Sequence, residues 1–141
     1  MKVAVGCDHG GLDLKYIVQS VLKDLGHEID DQGCNSPESV DYPNFAKAVS
    51  SLVNDGKCDR GILICGTGIG MSMAANRIPG IRAALCHEMF SARMSREHND
   101  ANILCLGARV IGQGLAAEVV RTWMTTDFAG GRHQRRIEMF K

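Results

Sequence analysis

The segment GILICGTGIG, residues 61–70, decides how the rest of this sequence is interpreted. Its first half, Gly61 to Cys65, is a short apolar run of the kind that forms a buried central strand. Its second half alternates glycine with other residues and leads into small residues at 71–76, which predicts a tight turn and then a helix. Strands that pass through such a turn into a helix are typical of parallel sheets covered by helices. We therefore expect an α/β fold.

The same alternation of strand and helix continues on both sides of this segment. Short apolar runs predict four more strands, of which the second is polar enough for a sheet edge, at residues 2–6, 28–32, 81–85 and 102–106. Apolar residues at helical spacing predict helices at residues 14–25, 45–53, 71–76, 88–97 and 115–124. The pattern predicts one domain, residues 1–141, folded as a Rossmann-like three-layer sandwich. A five-stranded parallel sheet forms its middle layer, and a helical extension follows at the C-terminus.

The composition excludes several classes of protein. The 141 residues carry 16 basic and 16 acidic side chains, so a general electrostatic affinity for nucleic acid or an anionic membrane is not expected. No apolar run approaches the roughly 20 residues that span a bilayer, and the N-terminus does not read as a signal peptide. The six cysteines form no Cys-x-x-Cys pair, which argues against zinc ribbons and thioredoxin-like motifs and favours a reducing cytoplasm.

The glycine turn after Cys65 is a candidate binding site. Its backbone N–H groups could hold a phosphate or an oxyanion at the start of the following helix. The spacing fits neither the dinucleotide motif nor a Walker loop, and no arginine of the phosphatase type lies between Cys65 and Arg77. Tight packing alone would explain the glycines equally well. A cysteine at this junction favours function, because a thiol there can be tuned towards thiolate.

Three further motifs carry groups suited to chemistry, each with a simpler explanation. Asp8-His9 follows the first strand, where an acid–base pair or a turn cap with a solvated histidine would both fit. His98 ends a predicted helix, which by itself is a favourable place for any histidine. Arg132 and Arg136 stand one helical turn apart and could hold a phosphate, or belong to a solvated basic tail.

Together these pieces resemble the ribose-5-phosphate isomerase B family, with its sibling galactose-6-phosphate isomerases. The similarity covers essentially the whole chain and rests on the order and spacing of its motifs. These are Gly6-Cys7-Asp8-His9-Gly10, Asp41-Tyr42-Pro43, residues 61–68, Ala74-Ala75-Asn76-Arg77, residues 95–100, Gly107-Ala108-Arg109 and Gly131-Arg132-His133.

The resemblance implies an aldose–ketose isomerase of the pentose phosphate pathway that interconverts ribose 5-phosphate and ribulose 5-phosphate without a metal or organic cofactor. It implies that His98 and Asp8 open the sugar ring, and that Cys65, as a thiolate, moves a proton through a cis-enediolate. The N–H groups of residues 66–70 would stabilise that intermediate, with Thr67 assisting by hydrogen bonding. One branch of the family has a glutamate base just after the glycine turn. Here that position is Met71, which favours the thiol.

The resemblance also implies how the substrate is held. Its phosphate clamp corresponds to His9, Arg132 and Arg136. The remaining contacts that it implies are Tyr42, Gly66, Gly68, Gly70, Asn99 and Arg109. The family forms homodimers, or dimers of dimers, whose sites combine two subunits, and by that analogy His98, Asn99 and Arg109 serve the second subunit's site.

Two alternatives remain open at this stage. The substrate could be a six-carbon sugar phosphate, galactose 6-phosphate or allose 6-phosphate, with the polar loop at residues 33–43 as the place where specificity would be set. The chain could instead be a non-catalytic module that binds a phosphosugar or a nucleotide on the same fold. Such a module would have no need of Cys65, Asp8 and His98 together.

Overall fold

Five strands form one parallel sheet in the computed structural model, which describes residues 1–140. Their bounds are β1 Lys2–Cys7, β2 Glu28–Gly33, β3 Arg60–Cys65, β4 Ala83–Leu85 and β5 Ile103–Gly107. The order across the sheet is β2-β1-β3-β5-β4, with β3 at the centre and the polar β2 at an edge, as predicted. The predicted fourth strand, 81–85, is two residues too long. The amide of Arg82 donates to the side chain of Asn102 instead, so the ladder begins at Ala83.

Six α-helices accompany the strands over the described residues. They are α1 Leu12–Asp24, α2 Tyr42–Asn54, α3 Ile69–Ala75, α4 Met89–Glu97, α5 Gln113–Thr125 and α6 Arg132–Ile137. The sequence did not predict the short 3₁₀ turn at His9–Gly11 that precedes α1. The loop predicted to reach Pro43 is also shorter, because Pro43 lies in the first turn of α2, where no N–H is needed.

The helices form two layers, one on each face of the sheet. Alternate side chains of β3 point to opposite faces, so Ile62 and Ile64 pack against α1, α4 and α5, while Leu63 and Cys65 pack against α2 and α3. Both sets are almost fully buried. The predicted three-layer sandwich is therefore confirmed, and Cys65 faces the α2 and α3 layer.

Close packing positions α2 against the sheet. A methyl group on Gly61 would lie 2.7 Å from Cγ1 of Val49, and one on Gly6 would lie 2.9 Å from its Cγ2. The two glycines thus let α2 approach β1 and β3 closely. The helix begins after β2 has ended, so its first residue, Tyr42, lies at the carboxyl edge of the sheet.

The predicted C-terminal extension is present as α6. The backbone N–H of Ala129 donates to the carbonyl of Glu97 across 3.0 Å, which holds the segment before α6 at the end of α4. None of the helices in the described part of the chain has the length and apolar character needed to cross a membrane.

Candidate active site

Three neighbouring strands end side by side and bring the predicted polar residues to one edge of the sheet. Cys7 lies opposite Ile64, and Cys65 lies opposite Gly107. The residues that follow β1, β3 and β5 therefore meet at the carboxyl edge, which is where open α/β sheets bind ligands.

Cys65 ends the central strand and is only 5% exposed. Its sulfur accepts a hydrogen bond of 3.1 Å from the backbone N–H of Gly68. Gly68 has a φ of 76°, and a methyl group on it would lie 2.9 Å from the backbone carbon of Leu106. Only glycine fits this left-handed position against the neighbouring backbone without strain. The turn is therefore shaped to direct an N–H at the sulfur.

Four other cysteines lie in surroundings that keep their thiols protonated. Burial raises the pKa of Cys7 to about 12, and it also raises the pKa values of Cys58, Cys86 and Cys105. At neutral pH a thiol with a raised pKa stays almost entirely protonated, and the thiolate, not the thiol, is the reactive form. Because Cys65 has an N–H directed at its sulfur, it is the best candidate for thiolate chemistry.

The glycine turn uses its amides in more than one way. Gly68 donates to Cys65, and the N–H of Ile69 donates to Oγ1 of Thr67 across 3.3 Å. The amides in the first turn of α3, including that of Gly70, have no carbonyl partner within the helix. We expected all amides of residues 66–70 to face the substrate. The amide of Gly68 instead donates to the sulfur of Cys65.

Asp8 and His9 are held by the turn that follows β1. Asp8 is buried, and its Oδ1 accepts a hydrogen bond of 2.9 Å from the N–H of Gly10. Nδ1 of His9 accepts a hydrogen bond of 3.2 Å from the N–H of Val40. Neutral imidazole carries one proton, so this bond leaves the proton of His9 on Nε2, available to an anion.

Arg109 and Tyr42 close over the glycines of the same edge. A methyl group on Gly66 would lie 3.5 Å from Nη1 of Arg109, and one on Gly10 would lie 3.6 Å from its Nη2. The ring of Tyr42 covers Gly70 in the same way, with Cζ 2.7 Å from an added methyl group. Arg109 thus lies over Gly66 and Gly10 of its own chain, whereas the resemblance led to the expectation that it serves a second subunit.

His87 belongs to this edge but was not among the candidate residues. It follows β4, and its Nε2 accepts a hydrogen bond of 3.2 Å from the N–H of Gly107 at the end of β5. The signal was present in the sequence, because a histidine directly after a predicted strand must lie at the carboxyl edge. The bond gives the N–H of Gly107 a partner beyond the end of the short β4.

His98 and Asn99 lie at the opposite edge of the sheet. Helix α4 leaves the carboxyl end of β4 and runs back, so it ends where β5 begins. The carbonyl of Asn102, three residues later, accepts from Gly61 at the start of β3. About 13 Å of β5 separates the two edges. Within one chain, His98 therefore does not reach Asp8 or Cys65.

Arg132 and Arg136 share the position of His98. Both belong to the exposed helix α6, and the His98 and His133 rings stack with their centroids 4.1 Å apart. The expected clamp of His9 with these arginines is therefore not assembled within a single chain.

Ion pairs hold the turn that carries His98 and Asn99. The carboxylate of Asp100 accepts from Arg96 at 2.8 Å and from Arg82 at 3.2 Å. Asp100 has a φ of 43°, an unusual conformation for a residue other than glycine, which these two contacts stabilise. A cavity of about 300 Å³ opens beside this turn along β4, and Asn99 and Phe140 are among its lining residues.

Residues 1–140 contain no group of three or more histidine, cysteine or acidic side chains placed to hold a metal ion.

The predicted site residues lie in two separate groups, which we call half-sites. One, at the carboxyl edge, contains Asp8, His9, Tyr42, Cys65–Gly70 and Arg109. The other, at the amino edge, contains His98, Asn99, Arg132 and Arg136.

Comparison with known proteins identifies a family and close relatives for this chain. The family model described as Ribose/Galactose Isomerase matches residues 3–140. Ribose-5-phosphate isomerase B of Escherichia coli is 49% identical over 137 residues, which cover 97% of this chain and 92% of that protein. D-erythrulose-4-phosphate isomerase of Pectobacterium atrosepticum is 40% identical over 139 residues, covering 98% and 91%. The structure of Clostridium thermocellum ribose-5-phosphate isomerase B is 55% identical with a TM-score of 0.96, covering 98% of this chain and 93% of that one.

Proposed function

The chain belongs to the ribose/galactose isomerase family and is a sugar phosphate isomerase, and from this premise we propose that it interconverts ribose 5-phosphate and ribulose 5-phosphate. The observation that carries the proposal is the hydrogen bond from Gly68 to the sulfur of Cys65 at the carboxyl edge of the sheet. The buried Asp8 is at the same edge, where its N–H donates to the carbonyl of Ile64, the residue before Cys65. The whole chain serves as one sugar-phosphate isomerase domain, in the pentose phosphate pathway of the cytoplasm.

Ring opening is the first step. A base removes the proton of the anomeric hydroxyl and an acid protonates the ring oxygen, so the ring bond breaks without net change in charge. Asp8 and a His98 supplied by a second subunit fill these two roles. The burial of Asp8 and its fixed bond to Gly10 support this assignment, because both limit the movement of its carboxylate.

Proton transfer is the second step. The thiolate of Cys65 takes the proton from C2 of the open aldose and returns it to C1 of the cis-enediolate. The proton of the C2 hydroxyl moves to the C1 oxygen, so no atom is gained or lost. The amides of Gly66 and Gly70, with the hydroxyl of Thr67, stabilise the developing oxyanion. Gly68 stabilises the thiolate instead, which its 3.1 Å bond supports.

The phosphate is held from both half-sites. Nε2 of His9 and the guanidinium of Arg109 contact it from the subunit that supplies Cys65. Arg132 and Arg136 contact it from the second subunit, and Tyr42 and Asn99 hold the sugar hydroxyls. The free Nε2 proton of His9 supports this arrangement, since Nδ1 is already occupied by Val40.

The active form is a homodimer, or a dimer of dimers, with each site built by two chains. The argument is geometric, because the carboxyl-edge and amino-edge half-sites of one chain are separated by the length of β5. An isologous dimer pairs the carboxyl edge of each chain with the amino edge of the other and so forms two equivalent sites. This arrangement needs no movement within either chain.

A coupled isomerase assay tests the proposal. We expect the highest kcat/KM with ribose 5-phosphate, compared with allose 6-phosphate, galactose 6-phosphate and D-erythrulose 4-phosphate. A preference for a hexose phosphate would keep the mechanism and reassign the substrate. Binding without turnover of any of the four sugars would contradict the proposal and favour a non-catalytic binding module.

A further inference from the structure

His133 has no part in the reaction proposed above, yet its ring contacts the ring of His98. The two centroids are 4.1 Å apart and the ring planes are inclined by 11°, so the imidazoles stack face to face. His98 follows the last residue of α4, and His133 lies in the first turn of α6. The contact therefore joins two separate elements of the fold.

We propose that His133 is a positioning residue for ring opening, whose neutral ring stacks on His98 and fixes the plane in which His98 presents its nitrogens to the sugar. This inference rests on the ring-opening role proposed for His98. The side chain of His98 is only partly buried at a helix end, so it would otherwise sample several rotamers. A stacked partner removes that freedom before the substrate arrives, and orientation of this kind lowers the barrier.

The backbone holds the two rings together. Ala129 donates to the carbonyl of Glu97 across 3.0 Å, immediately before His98. Gly130 and Gly131 follow with φ values of 65° and 57°. Two successive residues at positive φ let the chain reverse direction, which returns α6 onto the end of α4. The backbone therefore brings the two rings together, and the stack is part of the contact between α6 and the end of α4.

The charges around His133 favour its neutral form. His98 and Glu97 face it from α4, and Arg132 and Arg136 lie beside it on α6. Partial desolvation, followed by the positive charges of His98 and the two arginines, lowers the pKa of His133, and Glu97 opposes this shift only in part. Two imidazolium rings in face-to-face contact repel each other. These charges therefore keep His133 as the neutral ring of the stack.

Paired substitutions separate stacking from imidazole chemistry. His133→Ala should lower kcat with ribose 5-phosphate about tenfold, while KM and the turnover of the open-chain fraction stay near native. His133→Phe keeps a flat ring without a charge and should restore most of the lost activity. Gln134→Ala, at the next position in α6, is the matched control and should behave as native. Because these side chains lie at or near the surface, we expect all three variants to fold.

Titration of the histidine resonances by NMR provides a readout that does not depend on activity. In the native protein, His133 should titrate below the ordinary value for imidazole. In His98→Asn its pKa should rise, because one neighbouring positive charge is removed. This shift tests the contact even if His98 proves to have no role in ring opening, so the two proposals can fail separately.

Three outcomes would overturn the inference. Native kcat in His133→Ala would show that the stack does not position His98. Equal losses in His133→Ala and His133→Phe would show that the imidazole itself is required. A rise in KM with unchanged kcat would make His133 a contact for the phosphate.

Discussion

The backbone N–H of Gly68 is directed at the sulfur of Cys65, 3.1 Å away, and this contact joins the central strand to the turn that follows it. The contact exists because Gly68 adopts a φ of 76° against the backbone of Leu106. Both the conformation and the lack of a side chain at residue 68 are therefore needed to bring a hydrogen-bond donor to the sulfur.

Gly68→Ala should damage both stability and activity. The added methyl group would lie 2.9 Å from the backbone carbon of Leu106, in a backbone conformation that alanine disfavours. We expect a loss of about 1–3 kcal/mol in the free energy of unfolding, measured by urea denaturation, and a reduced kcat. Gly114→Ala is the control, because nothing lies within 4 Å of that position in α5. It should be neutral or stabilising.

Cys65→Ala should abolish turnover while substrate still binds. Removing a sole proton-transfer base typically costs at least about 10²- to 10⁴-fold in kcat. Steady-state kinetics and equilibrium binding of the sugar phosphate measure the two effects separately. Cys58→Ala removes another buried cysteine, distant from the turn, and should retain native kcat. Near-native kcat in Cys65→Ala would exclude Cys65 as the base.

His98→Asn should impair the cyclic sugar far more than its open-chain fraction, because only the ring needs the additional acid–base step. In rapid-mixing experiments the variant should convert the open-chain fraction in a small burst. Its later rate should stop rising with enzyme concentration, because spontaneous ring opening then limits it. Equal slowing of both forms would instead assign His98 to the isomerisation step or to substrate positioning.

The same variant tests whether sites are shared between chains. Mixing Cys65→Ala with His98→Asn should restore roughly a quarter of native activity, since half of the dimers are then mixed and each has one intact site. Sites confined to single chains would give no recovery at any mixing ratio.

Arg132→Ala should raise KM with a smaller effect on kcat, because the phosphate is bound equally in the ground and transition states. Loss of a charged hydrogen bond costs about 1.5–3 kcal/mol, which corresponds to roughly a ten- to hundredfold loss in kcat/KM. Inorganic phosphate should inhibit the native enzyme competitively and the variant lacking both Arg132 and Arg136 hardly at all. Arg135→Ala, on the same exposed helix, is the matched control. Equal inhibition of all forms would place the phosphate elsewhere, with the glycine turn the first alternative.

Asp31 should contribute to the loss of stability in acid. It accepts from the fully buried Lys15 at 3.0 Å, and although partial burial opposes the shift, hydrogen bonds from Gly33, Lys15 and Gln19 hold its pKa below the ordinary value of 3.8. Its contribution is therefore complete above that value and is lost as the pH falls through the lowered pKa of the folded state. Unfolding measured against pH should show a shallower acid limb in Asp31→Asn. Asp24→Asn, which removes only an exposed ion pair with Arg121, should leave that limb unchanged.

Local sequence patterns predicted most of the fold. The apolar run before Cys65 and the helical spacing in α1, α2 and α5 identified the elements, because burial imposes a period on each. Apolar periodicity did not predict details that depend on a hydrogen bond from a single polar side chain. Asn102 ends the β4 ladder early, and Asp8 caps a 3₁₀ turn that no periodicity reveals.

The candidate site likewise has one part that the sequence determines and one part that only the tertiary structure determines. The sequence alone determines that Asp8, His9 and the Cys65 turn share one edge, because each follows a strand of a parallel sheet. The direction in which α4 returns along the sheet, and therefore the separation of His98 from Cys65, depends on the tertiary arrangement. The position of Arg109 over Gly66 of its own chain and the stack of His133 on His98 also depend on it. These contacts join residues distant in the chain, whose proximity only the packed helices and sheet determine.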